Sequence, residues 1–326
     1  MTTTNTATAN FDKRVQTLIR KELEAELLPS LPHLNGALGF IKAKFVAGSN
    51  STMRFLRVPH LTVTTNSGTV TPGTAPWLTE GVAPAAQALS FGFEEFTAYQ
   101  AGQRVELTDL AMDEVPEVSS EAAVRVARQA HATIDEYVGR ILAAGTSVIY
   151  AGSGSAARTD VGVTDTLTGT LIRRAAQGMK LDNIPMFGDG TFHAVVNPAV
   201  VFDFEEDEAL GGWKAIGTYS DGQAGNIQAG VLGKYAGVSF IESANARSFA
   251  AGGAGSADVY STYICGPDSF SFGDWGDIST HVVLPGGHGD ELAQVMSIGW
   301  KCRLGAFLVD EAGPRYVRIE SGATSI

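Results

Sequence analysis

A chain of 326 residues, 44% apolar and only 18% charged, carries too much buriable side chain for a disordered protein and less charge than the ~25% of an average soluble domain. Its net charge of −12 excludes a bulk surface that coats nucleic acid, because neutralising phosphates takes clustered Lys and Arg. Two cysteines cannot build a disulfide framework and suit a reducing compartment. The polar start and the lack of an apolar run of about 18 residues leave neither a secretory signal nor a membrane-spanning helix as an expectation.

Residues 1–10 are mostly Thr, Ala and Asn, as in a mobile terminus. Over 11–28, Phe11, Val15, Leu18, Ile19, Leu23 and Leu27 recur at helical spacing, with Asn10 as N-cap and Pro29 as stop. The first 60 residues hold eight Lys or Arg against four acids, while the remainder has a net charge of −16. The amino-terminal segment is therefore a separate electrostatic object.

Arg54–Thr65 and Leu89–Leu107 read as strands flanking a Gly/Pro/Thr stretch from Gly68 to Pro84. From Val58 to Gln103 the only charges are Glu80, Glu94 and Glu95, yet the stretch holds Trp77, Leu78, Phe91, Phe93, Phe96 and Tyr99. A lone two-stranded ribbon is marginal in water, and one so poor in charge exposes apolar surface and open edges. It either folds back on its own domain or lies on a neighbouring subunit; its composition favours the second.

The strongest element is a helix over 119–144, about 39 Å long at 1.5 Å per residue. Val118, Ala122, Val126, Ala130, Ile134, Val138 and Ile141 or Leu142 form its stripe, and Arg125, Arg128, Asp135, Glu136 and Arg140 face away. Ser119 or Ser120 caps it and Gly145 ends it. A strand (Ser147–Tyr150), a Gly/Ser turn, a helix near 166–180, a strand at Phe192–Asn197 and a helix from Pro198 to about Ala209 follow. The Gly-rich span 211–290 carries short strands at Val231–Leu232, Val238–Glu242 and Val259–Cys265. Val295–Val309 and Tyr316–Ile319, joined by a turn at Asp310–Pro314, read as a closing β-hairpin.

No catalytic constellation emerges, and no catalytic, cofactor or metal residue is assigned. Gly152-Ser-Gly154-Ser-Ala-Ala157 follows a strand like a dinucleotide fingerprint, but Arg158-Thr-Asp-Val-Gly-Val is no helix to receive a pyrophosphate. Gly233-Lys234 lacks the upstream glycine and the following hydroxyl of a phosphate loop. His281, His288 and Asp290 flank a Pro-Gly-Gly loop without zinc-site spacing. Glu205-Glu206-Asp207-Glu208 reads as a solvated helix end, and His131 as a packed imidazole.

The order of parts resembles the HK97-type major capsid protein of tailed bacteriophages. Within that family, the chain is similar to the branch carrying Leu78-Thr-Glu80-Gly81-Val-Ala-Pro84, then Ala98-Tyr99-Gln100-Ala101-Gly102 and Leu107-Thr108-Asp109. The helix with Gln129 and Thr133-Ile134-Asp135, the Val196-Asn197-Pro198 step and Gly299-Trp300-Lys301 extend the likeness over roughly 50–320.

The resemblance implies an α+β fold with an N-terminal arm (1–50) and an extended β-hairpin loop with flanking strands (51–109). It implies a peripheral domain with a spine helix (110–146 and 291–326) and a central axial domain (147–290). It also implies hexamers and pentamers closing an icosahedral phage head around double-stranded DNA, a non-enzymatic role, and no cofactor.

Expected partners are other copies, a portal, separate scaffolding and cement proteins, and DNA held by weak contacts. The chain would sit in the virion capsid after assembly in the host cytoplasm, without membrane. Trp77, Leu78, Glu80, Phe91, Phe93 and Tyr99 are the expected assembly contacts, and Lys13, Arg14, Arg20 and Lys21 the expected DNA or scaffold contacts. No Lys lies between Lys44 and Lys180, so covalent cross-linking through the loop is not expected. The amino-terminal extension is also too short for a fused scaffolding domain. Competing readings are an encapsulin-type compartment shell, a nucleotide-binding enzyme and a tail-tube protein.

Overall fold

The computed structural model describes residues 38–42, 44–45, 52–57, 80–82, 91–114, 118–206, 233–274, 279–286, 290, 292–309 and 315–324. The helix expected over 11–28 and the strand at Val231–Leu232 lie outside them. The described residues form an α+β fold.

Short strands β1 (Phe40–Lys42) and β2 (Lys44–Phe45) precede β3 (Thr52–Arg57). The return strand breaks at Ala98 into β4 (Gly92–Thr97) and β5 (Tyr99–Thr108). α1 (Asp109–Glu114) leads to α2 (Val118–Ala143), and β6 (Val148–Tyr150), α3 (Gly169–Leu181), β7 (Phe192–Val196) and α4 (Pro198–Glu205) follow. β8 (Lys234–Tyr235), β9 (Val238–Glu242), β10 (Ser248–Phe249) and β11 (Val259–Cys265) come next. The order ends with β12 (Phe270–Asp274), β13 (Ser279–Val283), β14 (Val295–Leu308) and β15 (Tyr316–Ser321).

The first sheet runs β1-β12-β14-β13, with β5 on the other side of β14. Met296, Ile298, Trp300, Cys302 and Leu304 alternate along β14, facing one side as period 2 requires. There they pack against Ala123, Val126, Ala127, Ala130 and Ile134 of α2. The second sheet runs β6-β15-β11-β7-β9-β8, with β10 beside β11. Phe192, Ala194 and Val196 of β7 face α3 and α4 on one side of this sheet. Val195, with Tyr263 and Cys265 of β11, faces Val138 and Leu142 of α2 on the other. One helix thus bridges both sheets, which is what its length is for.

Several expectations change on folding. The helix begins at Val118, so Ser119 and Ser120 lie in its first turn rather than capping it. Asp135, expected to face away, is fully buried. A strict i, i+4 row drifts around the helix, and the true buried band is wider, taking in Ala123, Ala127, His131 and Asp135. α2 ends at Ala143, and Gly145 beyond it leaves room for Tyr316, on whose ring a Cβ would fall.

Pro198 does open α4, with the Asn197 side chain accepting from Ala199 N at 3.0 Å. The helix stops at Glu205, short of Ala209. Gly152 and Gly154 sit at φ +93° and +88° in a plain turn. Only a three-residue turn of helix (Arg158–Asp160) follows before α3, so no helix N-terminus is available for a phosphate.

The closing hairpin does not form. β14 has β5 along one edge and β13 and β12 along the other, so no edge is left for β15. β15 instead inserts between β11 and β6 in the second sheet. Sheet membership likewise puts β12 and β13 with β14.

Candidate assembly interface

The ribbon β3–β4 pairs antiparallel from Thr52↔Thr97 to Arg57↔Gly92. Residues opposite one another share a face, so the ribbon has two distinct sides. One carries Met53, Phe55 and Phe96. Met53 is fully buried, and the Phe55 and Phe96 rings sit 5.6 and 4.7 Å from Phe307 of β14. Gly305 makes room for this root, since a Cβ there would come within 2.7 Å of the Phe96 ring.

The other side carries Arg54, Leu56, Phe93 and Glu95. Arg54 Nε donates to Glu95 at 2.9 Å, and its guanidinium lies 4.6 Å from the Phe93 ring centre. Leu56 and Phe93 remain 48% and 56% exposed, and Phe91 62%. Tyr99 and Val82 are exposed as well. The ion pair is worth at most about 1 kcal/mol at this exposure, so it orients the face rather than stabilising it. The root is docked and the blade is bare.

β5 extends this exposure. It pairs only with β14 among the described residues, which leaves its outer row of backbone donors and acceptors open along ten residues. A depression of about 420 Å³ lies on the β5–β14 surface, lined by Gln100–Arg104, His281 and Gly299–Lys301.

Of the residues singled out in the sequence, Phe91, Phe93 and Tyr99 lie on this exposed surface, and Glu80 in an exposed turn. Trp77, Leu78, Lys13, Arg14, Arg20 and Lys21 lie outside the described residues. Leu56 and Val82 went unnoticed, although the alternation Arg54-Phe55-Leu56-Arg57 could have flagged Leu56. The Phe307–Gly305 root could not have been found, because it lies about 250 residues away along the chain.

Among the described residues no three His, Cys, Asp or Glu side chains cluster so as to hold a metal ion. Asp290 accepts backbone N–H groups from Gly286, Gln294 and Val295 at 2.9–3.2 Å. Its bond from Gln294 heads the causes that hold its pKa below the usual carboxylate value. Asp290 thereby braces the loop; His288 lies outside the described residues.

The buried Glu320 receives Arg158 bidentately at 2.7 and 2.8 Å and pairs with Arg318 at 2.9 Å. Arg318 also donates to the Ala143 carbonyl at the end of α2. This network joins helix to sheet. Burial pushes the Cys265 thiol up to about 12, so it is no nucleophile.

Residues 92–306, which include the second ribbon strand, the spine helix and most of both sheets, match the family model of the phage capsid protein. The chain belongs to the phage capsid protein family. Its fold is similar to that of the cyanophage Pam1 capsid subunit, with a TM-score of 0.62 at 14% identity over 86% of this chain and 87% of that one. The Ralstonia phage GP4 capsid gives 0.61 at 13% identity over 83% of each chain. The head structure of Helicobacter pylori bacteriophage KHP40 gives 0.57 at 12% identity over 91% and 93%. No curated protein matches the sequence. These likenesses establish the HK97-type fold. This capsid protein is a structural component of the virion shell and self-associates in a capsid lattice.

Proposed function

We propose that copies assemble as hexamers and pentamers of an icosahedral head enclosing double-stranded DNA, with the ribbon of each copy seated on its neighbour. The observation that carries this reading is the two-sided ribbon: root docked on Phe307, opposite face bare at Leu56, Phe91 and Phe93. Exposed apolar patches of this kind mark interaction sites, and the family self-associates. The first sheet, with β12 and β13, takes the peripheral role and the second sheet, with β15, the axial role.

The role is non-enzymatic, and assembly takes place in the host cytoplasm. Lys13, Arg14, Arg20 and Lys21 contact DNA or a scaffolding protein, and a portal completes the head. With no Lys between Lys44 and Lys180, the shell is held noncovalently, with or without a cement protein.

The test is electron microscopy of the chain expressed alone, beside a Phe91→Ser/Phe93→Ser variant. Closed shells from the first and unassembled, folded subunits from the second are expected. Shells of normal yield from the variant would refute the role of the ribbon. Neutralising the four basic residues is expected to lower DNA or scaffold content, and normal particles would refute that assignment.

A further inference from the structure

The second sheet carries two helical faces of opposite character that the ribbon reading does not use. On α4, Phe202 is 53% exposed, although its neighbours Val200, Val201 and Phe204 are buried. Glu205 and Glu206 follow at i+3 and i+4, on the same side of the helix, and both are exposed. The result is an aromatic knob flanked by two carboxylates.

On α3, Arg173, Gln177, Lys180 and Leu181 recur at i, i+4, i+7 and i+8 on the exposed side. They border a groove of about 380 Å³ completed by Ala176 and Ala236. Leu181 stands 73% exposed at its end. The groove has an apolar floor and a cationic rim.

Knob and groove are complementary in charge and in apolar character. The end of α4 lies beside the start of α3, where Asp203 and Glu206 share a cleft with Thr168. The groove starts at Arg173, about one turn into α3, and runs to Leu181 at its end. Among the described residues, neither Lys180 nor the Glu205–Glu206 pair has an ion-pair partner inside the chain. Arg173 bonds only its own helix, at Gly169 O and Thr170 Oγ1. An apolar floor inside a cationic rim complements an apolar knob flanked by carboxylates.

We infer that Phe202, with Glu205 and Glu206, docks into the Arg173–Lys180–Leu181 groove of a second copy. The contact joins two different patches, so it is heterologous and repeats head to tail, closing a ring wherever the rotation closes. It rests on the self-association proposed above, but it is a separate interface from the ribbon.

The test uses full-length chains carrying Arg173→Glu/Lys180→Glu or Glu205→Lys/Glu206→Lys, with mass photometry and electron microscopy of the assembled fraction and a thermal melt to check folding. Each reversal alone is expected to lower the assembled fraction roughly tenfold or more, since like charges then face each other across the contact. Combining both reversals in one chain should restore assembly, because every reversed groove then meets a reversed knob, in odd and even rings alike. Phe202→Ala should weaken assembly without moving the melt.

Single reversals that assemble as the wild type does, or a doubly reversed chain that folds but stays unassembled, overturn the contact while leaving the ribbon reading intact. Loss of packaged nucleic acid with Arg173→Glu/Lys180→Glu, at normal assembly and with no effect of the Glu205→Lys/Glu206→Lys pair, overturns it in favour of a nucleic-acid face. A wild-type chain that never assembles overturns both readings.

Discussion

β11 and β5 are both long strands, and their environments are opposites. All seven residues of β11 are buried, whereas eight of the ten in β5 are exposed. Hydrophobicity does not explain this, since β11 includes Ser261 and Thr262 while β5 includes Tyr99, Val105 and Leu107. What differs is coverage. β11 has β15 on one side and β7 on the other, with helices over both faces. Among the described residues β5 pairs with β14 alone, along one edge. Among the described residues, one part of the capsid protein is covered within the chain, and the other is the surface proposed above to meet further copies.

This contrast can be broken most forcefully in the second sheet. Phe192→Ala, at a fully buried site, is expected to cost about 3–5 kcal/mol in denaturant unfolding of unassembled chains. Phe93→Ala on the ribbon should cost no more than about 0.5 kcal/mol in the same assay while abolishing shells. Similar losses for the two would mean that the ribbon is packed on its own body.

Glu320→Gln should cost about 3 kcal/mol, because it leaves the buried Arg318 guanidinium without its carboxylate. A stability unchanged within error would show that the network is not needed to hold α2 to the sheet.

At the junction of the two regions, Gly305→Ala is expected to cost roughly 1–2 kcal/mol by displacing the Phe96 ring. It should also loosen the ribbon root, seen as faster hydrogen exchange in β3 and β4. Unchanged exchange there would show that the root is held elsewhere.

The smallest effect is local and depends on pH. Asp290 has its folded-state pKa lowered by backbone N–H donors. Its contribution is therefore present above the ordinary carboxylate value of about 3.9 and is lost as pH falls through the lowered one. Hydrogen exchange at Gln294 and Val295, corrected for intrinsic rates, should speed up below about pH 4. In Asp290→Asn this pH dependence should vanish; its persistence would assign it to another group.

The long helix, β11 and the Pro198 start were legible because each depends on local signals: apolar periodicity, a seven-residue strand run, a cap followed by proline. The charge-poor ribbon was legible because composition alone shows that it cannot stand in water. Partner choice was not legible. Tyr316–Ser321 follows β14 after a turn and looked like its hairpin mate, yet its place was decided by the occupied edges of β14. Asp135 looked outward because its own element gives no account of the second sheet packed along α2. The knob at Phe202 and its groove were not visible either, since exposure of an apolar helical residue depends on what fails to cover it.

The sequence by itself determined the long helix, β11 and the start of α4, that the body is acidic with a basic leading segment, and that the ribbon is poor in charge. Those properties follow from side chains and their spacing. Only the tertiary structure decided which strands share a sheet, which side of the ribbon is rooted on Phe307 and which is bare, and where the two charged helical faces stand. These are outcomes of competition among segments far apart in the chain for a limited number of strand edges and core faces, and local spacing carries no record of that competition.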